Sequence, residues 1–207
     1  MGVEDGGLRR PRVLVGCETS GVVRRAFAEV GVDSYSCDLL PAEDGETERH
    51  IVADVRRVVA EQGPWDLLIV HPPCTRLASS GARWMAGRQA EIEEALDLVR
   101  WLLVYQRAVG RVCLENPVGL IGTRVRPADQ IIQPWMFGHG EVKATCLWLR
   151  RLPKLRATQV VRGRRERVWR MSPGPERWRE RSRTYAGIGR AMAEQWGLGV
   201  LAREDSR

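Results

Sequence analysis

The chain has 207 residues and a formal net charge of +7, from 33 basic and 26 acidic side chains. It contains no apolar run long enough to span a bilayer and no signal-peptide pattern, so we expect one soluble, cytoplasmic domain without membrane contact. Five scattered cysteines without a C-x-x-C pair argue against disulfides and against a zinc site, and we expect no bound metal.

The first predicted elements are a strand and a glycine-bracketed turn. Arg12 to Gly16 is a short apolar run, and the sequence G-C-E-T-S-G, from Gly16 to Gly21, leads into an amphipathic helix that ends near Gly31. Thr19 or Ser20 is expected to cap this helix. Such a turn lets a ligand approach the backbone amides at the helix N-terminus, although many α/β proteins contain similar turns.

Acidic residues follow the next two predicted elements. The second strand runs from Val32 to Cys37 and ends in Asp38. A carboxylate at this position, about 20 residues past a glycine turn, can accept hydrogen bonds from ribose hydroxyls, and the alternative is that Asp38 begins a turn. Another short strand or turn ends at Asp54, which either caps the following helix or contacts an adenine amino group.

The most informative stretch is an apolar run that a Pro-Pro pair interrupts. Leu67 to Val70 predicts a buried strand, and Cys74 follows directly behind the prolines. Ligands of α/β sheets bind outside the carboxyl ends of the strands, so Cys74 is a candidate reactive thiol on a stiff loop. The alternative is a small buried cysteine after a proline turn. Arg76 and Arg83 are candidates for lowering the pKa of the thiol.

The remaining elements are predicted from periodicity and from glycine and proline positions. They are a mobile loop from Ala78 to Gly87, a long helix from Gln89 to Val109 that Gly110 ends, a strand from Arg111 to Leu114 that ends in Glu115-Asn116-Pro117, a short helix from Pro127 to Trp135, a turn and strand from Phe137 to Leu149, and a capped helix from Ser182 to Trp196. Alternating strands and helices predict an α/β fold with a mostly parallel sheet.

Positive charge is concentrated between residues 149 and 183. Twelve arginines and Lys154 stand there against three glutamates, a net charge of +10, which leaves −3 for the rest of the chain. A localised positive face with Trp169 and Trp178 interleaved suits a phosphate backbone. The alternative is a solvated basic surface without a partner, because lysine occurs only twice and arginine could be favoured throughout by coding bias.

These residues suit nucleophilic attack on an electron-poor ring beside a nucleoside cofactor. A Cys74 thiolate that adds to C6 of cytosine makes C5 carbanion-like and able to attack a methyl donor. Ring attack requires a proton or a strong hydrogen bond at N3, which Glu115 could donate if burial keeps its carboxyl neutral. Asn116 could hold this carboxyl or the edge of the base.

The chain resembles the DNA cytosine C5 methyltransferases, which use S-adenosylmethionine, from about Arg12 to Trp196. G-C-E-T-S-G is similar to the family's cofactor loop, H-P-P-C to its Pro-Cys loop and E-N-P to its Glu-Asn motif, in the family's order. The resemblance implies a Rossmann-like α/β fold with helices on both sheet faces, Cys74 as the nucleophile and Glu115 as the acid. The implied cofactor-binding residues are Gly16, Cys17, Glu18, Ser20, Gly21, Asp38, Asp54 and Pro72.

The chain departs from the family pattern in three places. Aligned on Gly138, the two arginines of a family motif are replaced by Lys143 and Thr145, and Arg162 or Arg164 would have to substitute for the second. The C-terminal Gly-Asn becomes Gly-Ile-Gly, and only the 34 residues from Leu149 to Ser182 replace the large region that recognises DNA sequence. The predicted DNA contacts are Lys143, Thr145, Arg162, Arg164, Arg165 and Arg167.

The resemblance implies a short, phage-type or restriction-modification enzyme, active on DNA and monomeric. It divides the chain into a flexible tail (1–10), a methyltransferase core (11–148), a basic insertion (149–181) and a C-terminal helix that completes the core (182–207). Alternatives are C5 methylation of a free pyrimidine nucleotide such as dCMP, and a catalytically inactive DNA-binding protein. An amino-group methyltransferase is disfavoured, because its Pro-Pro-aromatic loop needs a ring where Cys74 stands.

Overall fold

The computed structural model describes residues 9–78, 87–172, 174 and 177–201. Within this part of the chain the strands are β1 (Arg12–Gly16), β2 (Asp33–Asp38), β3 (His50–Val52), β4 (Leu67–Val70), β5 (Arg111–Pro117), β6 (Gln130–Ile132) and β7 (Thr145–Arg150). They form one sheet in the order β3-β2-β1-β4-β5-β7-β6. β7 runs antiparallel to both neighbours and the other pairs are parallel, so the prediction of a mostly parallel α/β sheet is confirmed.

Eight α-helices accompany the sheet in the described residues. They are α1 (Val22–Glu29), α2 (Val55–Glu61), α3 (Cys74–Leu77), α4 (Gln89–Arg100), α5 (Leu120–Arg124), α6 (Arg167–Arg170), α7 (Arg177–Ser182) and α8 (Ala186–Met192). π-helical turns extend α4 to Tyr105 and α8 to Leu201. None of these helices combines the length and the apolar character that a membrane crossing requires.

The sheet is buried on both faces, as its apolar strands predict. Successive side chains of β1 point to opposite faces, so Val13 and Leu14 belong to different apolar clusters. Phe27 of α1 and Trp196 pack in the cluster of Val13, whereas Leu96 of α4 packs in the cluster of Leu14. The helices therefore hold the sheet from both sides and leave its strand ends available for a site.

Three local predictions are wrong. The segment 127–135 forms β6 and a 3₁₀ turn instead of a helix, because residues 130–132 pair with β7 and the Gln130 side chain bonds both backbone groups of Leu155. The long helix ends at Tyr105, since Gln106 is extended and binds Arg150. The closing helix begins at Ala186, because residues up to 182 belong to α7.

Candidate active site

The carboxyl ends of β1, β2, β4 and β5 border one cavity of about 300 Å³, which we call the reactive cavity. The predicted site residues that line it are Cys17, Glu18, Ser20, Asp38, Pro72, Cys74, Glu115, Asn116 and Lys143. The parallel neighbours β2, β1, β4 and β5 place residues far apart in sequence at one sheet edge. No cluster of three or more metal-binding side chains occurs in the described part of the chain.

The turn after β1 is closed by a carboxylate. Glu18 is 5% exposed, and its two oxygens accept hydrogen bonds from the backbone N–H groups of Val23 (2.7 Å) and Arg24 (3.2 Å). Of the two residues expected to cap α1, Ser20 Oγ accepts a hydrogen bond of 3.4 Å from the Val22 N–H, whereas Thr19 donates to Glu43. Glu18, which was not expected to do so, caps the next two amides. Gly16 and Gly21 stand at the two ends of this turn and do not line the reactive cavity. A different structural constraint requires glycine at each of the two positions.

Gly16 and Gly21 are both required by their surroundings. A Cβ at Gly16 would lie 2.6 Å from a Val55 methyl carbon, so the close approach of α2 excludes a side chain. Gly21 precedes α1 with φ +63°, which favours glycine. These contacts explain the glycine spacing without assigning a ligand contact to either residue.

Asp38 lines both the reactive cavity and a second cavity of about 330 Å³. We call the second one the nucleoside cavity, after the ligand that the sequence leads us to expect at Asp38. Cys17, Asp38 and Pro73 line both. Burial raises the pKa of Asp38, while hydrogen bonds from the N–H groups of Leu40 and Leu39 act in the opposite direction. A carboxylate thus stands at the junction of two adjoining cavities.

The nucleoside cavity has apolar walls and a second acidic residue. Leu39, Val55 and Leu98 line it, and Leu39 is 71% exposed. Asp54 also borders it, and its Oδ1 accepts a hydrogen bond of 2.7 Å from the backbone N–H of Arg56. Of the two roles expected for Asp54, the structure shows the helix cap.

Cys74 begins α3 and is partly exposed in the reactive cavity. Burial raises the pKa of its thiol and Glu115 adds to this, whereas the charges of Lys143 and Arg181 lower it. The prediction that Arg76 assists the thiol is wrong, because its guanidinium pairs with Glu91 of α4 and lies at the nucleoside cavity. Arg83 lies outside the described residues, as does most of the predicted loop from Ala78 to Gly87.

Glu115 has a partner that sequence reasoning missed. The side chains of His71 and Glu115 are each 10% exposed, and His71 Nδ1 lies 3.0 Å from Glu115 Oε2. We call these two residues the floor pair. β4 and β5 pair with Val70 opposite Leu114, so the next residues, His71 and Glu115, fall side by side. A strand register would have revealed this contact, but no local motif does.

The expectation that burial keeps Glu115 neutral is wrong. Burial alone would raise the pKa of Glu115, but the hydrogen bond and charge of His71, the charge of Lys143 and the hydroxyl of Thr145 outweigh it and lower the pKa. Burial would likewise lower the pKa of His71, and the contact with Glu115 raises it above its usual value. Both directions favour a proton on the His71 imidazole over one on the Glu115 carboxyl.

Asn116 fixes the proline loop. It is 1% exposed, and its Nδ2 donates a hydrogen bond of 2.7 Å to the backbone oxygen of Pro72. Its Oδ1 is buried without a hydrogen-bond partner among the residues that the structure describes. The amide thus holds the segment that carries Cys74, a contact different from the two expected for it, the Glu115 carboxyl and the edge of the base.

Lys143 and Thr145, which the resemblance aligns with two arginines, have separate locations. Lys143 lines the reactive cavity, and its Nζ donates to the backbone oxygen of Arg183 at 3.3 Å. Thr145 is 2% exposed and pairs with Pro117 across the sheet. Its burial is inconsistent with the predicted nucleic-acid contact. Its hydroxyl donates a hydrogen bond of 3.2 Å to the backbone oxygen of Lys143 and also contributes to lowering the pKa of Glu115.

The predicted arginines of the basic segment lie away from the reactive cavity. Arg164 stacks on Trp135 with its guanidinium carbon 3.9 Å from the ring centroid, and Arg167 pairs with Glu141 at 3.0 Å. Arg165 is joined to the turn at residue 140 through its backbone, and Arg162 is exposed. Neither Arg162 nor Arg164 substitutes at the cavity, and the side chains of Trp169 and Trp178 lie outside the described residues.

Other arginines, which sequence reasoning did not single out, reach the reactive cavity. Arg179, Arg181 and Arg183 line its mouth. Glu43 also lines it and pairs with Arg179, at 3.4 Å, and with Arg183. We call Glu43, Arg179 and Arg183 the rim cluster. Thr19 donates a hydrogen bond of 2.9 Å to Glu43, which ties the rim to the turn after β1.

Comparison with known proteins gives similarity of fold. No protein-family model matches the sequence, and a search of curated proteins finds no match. The methyltransferase EhMeth of Entamoeba histolytica is 13% identical, with a TM-score of 0.51 over 74% of this chain and 58% of that one. This likeness shows a Rossmann-like α/β fold, and the chain spans less than two thirds of the length of EhMeth.

Two further solved structures are similar at lower TM-scores. A DNMT2 variant of Spodoptera frugiperda is 17% identical, with a TM-score of 0.47 over 76% of this chain and 55% of that one. The Dnmt2 methyltransferase of S. pombe is 16% identical, with a TM-score of 0.45 over 70% of this chain and 50% of that one.

Proposed function

We propose that this chain is a methyltransferase that transfers the methyl group of S-adenosylmethionine to C5 of cytosine in DNA through a covalent adduct with Cys74. The observation that carries the proposal is that Cys74, the floor pair and Lys143 all line one cavity. Asp38 lines this cavity and also the adjoining nucleoside cavity. The methyltransferase named among the structures of similar fold supports the same reaction class.

The nucleoside cavity has the chemistry that the cofactor requires. Asp38 offers a carboxylate to ribose hydroxyls, and the apolar side chains of Leu39, Val55 and Leu98 suit an adenine ring. When bound, S-adenosylmethionine supplies an electrophilic methyl group. Because Cys17, Asp38 and Pro73 line both cavities, a ligand that occupies the nucleoside cavity can extend to the reactive one.

Cys74 is the proposed nucleophile. Its thiol loses a proton, and the thiolate forms a bond to C6 of the ring while the ring's electron pair moves toward N3 and C5. Lys143 and Arg181 favour the thiolate electrostatically, against the burial that opposes it. C5 then takes the methyl group, water removes the C5 proton, and the C6–sulfur bond breaks to release Cys74 as a thiolate while the N3 proton returns to Glu115.

Glu115 is the proposed hydrogen-bond partner and proton donor of ring N3. It lies on β5 next to the strand that leads to Cys74, so it can face one edge of the ring that Cys74 attacks. Asn116 orients the thiol by holding the Pro72 carbonyl. Positioning of this kind is a large part of catalysis, since small displacements of reacting groups cost much of the rate.

The proposed macromolecular substrate is DNA, which the basic segment would bind through phosphates. A base in a duplex must rotate out of the stack to reach Cys74, at a cost of a few kcal/mol that phosphate contacts offset. We therefore expect an affinity that falls steeply with salt, with exposed Arg164 and Arg165 contributing. A salt-independent affinity would contradict binding through this segment.

A second candidate is C5 methylation of a free pyrimidine nucleotide. It is favoured by Arg179, Arg181 and Arg183, which line the same cavity as Cys74 and could bind a single phosphate. Arg179 and Arg183 already bind the carboxylate of Glu43, and a phosphate offers the same bidentate acceptor geometry. The chemistry at Cys74 would be unchanged.

One trapping experiment tests the nucleophile, the cofactor and the substrate class. Duplex DNA with 5-fluorocytosine blocks removal of the C5 substituent, so the proposed mechanism predicts a covalent complex that forms only with S-adenosylmethionine and maps to Cys74 by peptide mass analysis. Cys74→Ser should form none. An adduct with 5-fluoro-dCMP but not with DNA would favour the nucleotide, and no adduct with either would overturn the proposal.

A further inference from the structure

The floor pair has an arrangement that differs from that of another buried histidine in this chain. His50 has partners at both ring nitrogens, Ser36 Oγ at 2.8 Å and the Leu40 carbonyl oxygen at 2.9 Å. His71 has Glu115 at Nδ1, and its Nε2 is buried without a hydrogen-bond partner among the described residues. His50 has the partners of a structural residue, whereas His71 is joined only to the proposed acid.

The charges around His71 favour a proton on the pair. Glu115 on β5 and Glu18 in the turn after β1 favour the imidazolium, and Lys143 before β7 disfavours it. Two carboxylates therefore oppose one ammonium group and the cost of burial. Thr145 lowers the pKa of Glu115 through a hydrogen bond from its hydroxyl, which does not ionise near neutral pH.

We propose that His71 is a positioning residue for the methyl-transfer reaction, which stores on Nδ1 the proton that Glu115 delivers to ring N3. The inference rests on the proposed function and deepens it at the same site. As Cys74 bonds to C6, His71 Nδ1–H transfers its proton to the Glu115 carboxylate, and the Glu115 carboxyl delivers a proton to N3. The pair ends as neutral imidazole and carboxylate, and the ring gains one proton to balance the thiolate charge.

This role compensates for a missing cation. At the second arginine position of the resemblance stands Thr145, which is buried and uncharged. Because the contacts of Glu115 lower its pKa below the usual value of a glutamate, its carboxylate alone has no proton to give to N3 near neutral pH. The raised pKa of His71 keeps a proton 3.0 Å from Glu115 Oε2 at a higher pH than a free histidine would hold one.

The first test reads the proton in the free protein. The chain has three histidines, so their imidazole signals can be titrated by NMR and assigned by single substitutions. We expect His71 to titrate above about 6.5, the value of a free histidine, and to titrate lower in Glu115→Gln. His139, whose pKa burial lowers, is an internal reference below that value. A His71 signal that Glu115→Gln does not shift would overturn the pairing.

The second test asks whether His71 acts on ring protonation. His71→Gln keeps an amide donor for Glu115 but cannot carry the proton. We expect about 100-fold slower adduct formation with 5-fluorocytosine DNA, and a loss smaller than about tenfold with 5-azacytosine DNA, whose electron-poor ring depends less on the acid. His139→Gln, which keeps an acceptor for the Gly187 N–H, is the matched control and should behave as wild type on both.

The outcomes separate the two proposals. Equal slowing on both rings, with an unchanged melting temperature, would make His71 merely structural and overturn the inference while the proposed function stands. If His71→Gln does not fold, His71→Asn is compared on the same two rings. Absence of any wild-type adduct would overturn the proposed function and this inference with it, even where the NMR titration shows the ion pair.

Discussion

The reactive cavity is bounded by two sets of ionic contacts with different physical character. The floor pair is almost fully buried, and its partners come from adjacent strands in fixed register. In the rim cluster the side chains of Arg179 and Arg183 are 42% and 43% exposed. Arg179 lies in α7, and Arg183 directly follows that helix. Breaking a buried pair typically costs about 3–5 kcal/mol, whereas an exposed pair is worth about 0–1 kcal/mol.

This difference separates the tasks that the two regions can perform. A buried pair in a rigid sheet can hold a proton in one geometry, because leaving either partner without the other is costly. An exposed pair of arginines can exchange one anion for another at little cost, which suits binding and release of phosphate. The floor is therefore suited to chemistry and the rim to substrate binding.

The largest expected effect follows from breaking the floor pair. Glu115→Gln removes the proposed acid, so methyl transfer should fall by about 10²–10⁴-fold, as measured by incorporation of labelled methyl groups into DNA. Affinity for S-adenosylhomocysteine should stay within about threefold, because Glu115 does not line the nucleoside cavity. Near-normal transfer by this variant would remove Glu115 from the mechanism.

The same variant should change how stability depends on pH. The raised pKa of His71 gives stability that is present below the unfolded value of about 6.5 and is lost as pH rises through the folded value. The lowered pKa of Glu115 gives stability that is present above about 4.3 and is lost as pH falls. Wild type should therefore exceed Glu115→Gln most between about pH 4.5 and 6.5.

Denaturant unfolding at a series of pH values measures this difference. Glu61→Gln on α2 is a matched control, because Glu61 carries the same charge in an exposed pair with Arg57. Its effect should be small at every pH. A wild-type advantage that does not vary with pH would mean that the floor pair is not ionised in the folded protein.

A smaller effect is expected from the residue that joins the floor to the nucleophile. Asn116→Ala removes the hydrogen bond to Pro72 and frees the segment that holds Cys74. We expect kcat to fall by about 100-fold with KM within about threefold, because orientation is lost while the binding surfaces remain. Steady-state kinetics separate these constants, and a change confined to KM would contradict a positioning role.

The sequence predicts more of the floor of the reactive cavity than of its rim. Cys74 and Glu115 were found because each follows an apolar run that ends with prolines nearby, which is a local signal. The alternation of strands and helices predicts that both strands belong to a mostly parallel sheet, and the structure confirms this. The contact of His71 with Glu115 required the register of β4 and β5, and no single stretch of sequence specifies it.

The rim could not be predicted because its contacts are long-range and its arginines look alike. Arg183 is 140 residues from Glu43, and nothing in a run of twelve arginines distinguishes it from Arg162. Similarly, β6 was mistaken for a helix because three residues that pair with β7 have no period of their own. Tertiary contacts decide both cases, so sequence patterns could give only the basic character of the segment.

Removing one rim arginine should weaken substrate binding moderately. Arg183→Gln deletes one phosphate ligand, so we expect about three- to tenfold weaker binding of duplex DNA at low salt and a salt slope that decreases by about one. Fluorescence anisotropy at several salt concentrations gives both quantities. Arg57→Gln on α2 is the control of equal charge change, and equal weakening by both variants would mean that only net charge matters.

The smallest effect, and the one of opposite sign, is expected at Glu43. Glu43→Gln keeps a side chain that can bond Thr19 but removes the charge that neutralises Arg179 and Arg183. The two arginines then lose a competitor for phosphate, so DNA affinity should increase by about two- to fivefold at low salt and return to the wild-type value at high salt. Glu61→Gln makes the same charge change at the far end of α2, and only an increase specific to Glu43→Gln would show that the rim exchanges its carboxylate for phosphate. An unchanged or weaker affinity in Glu43→Gln would instead assign Glu43 to holding the rim arginines in place.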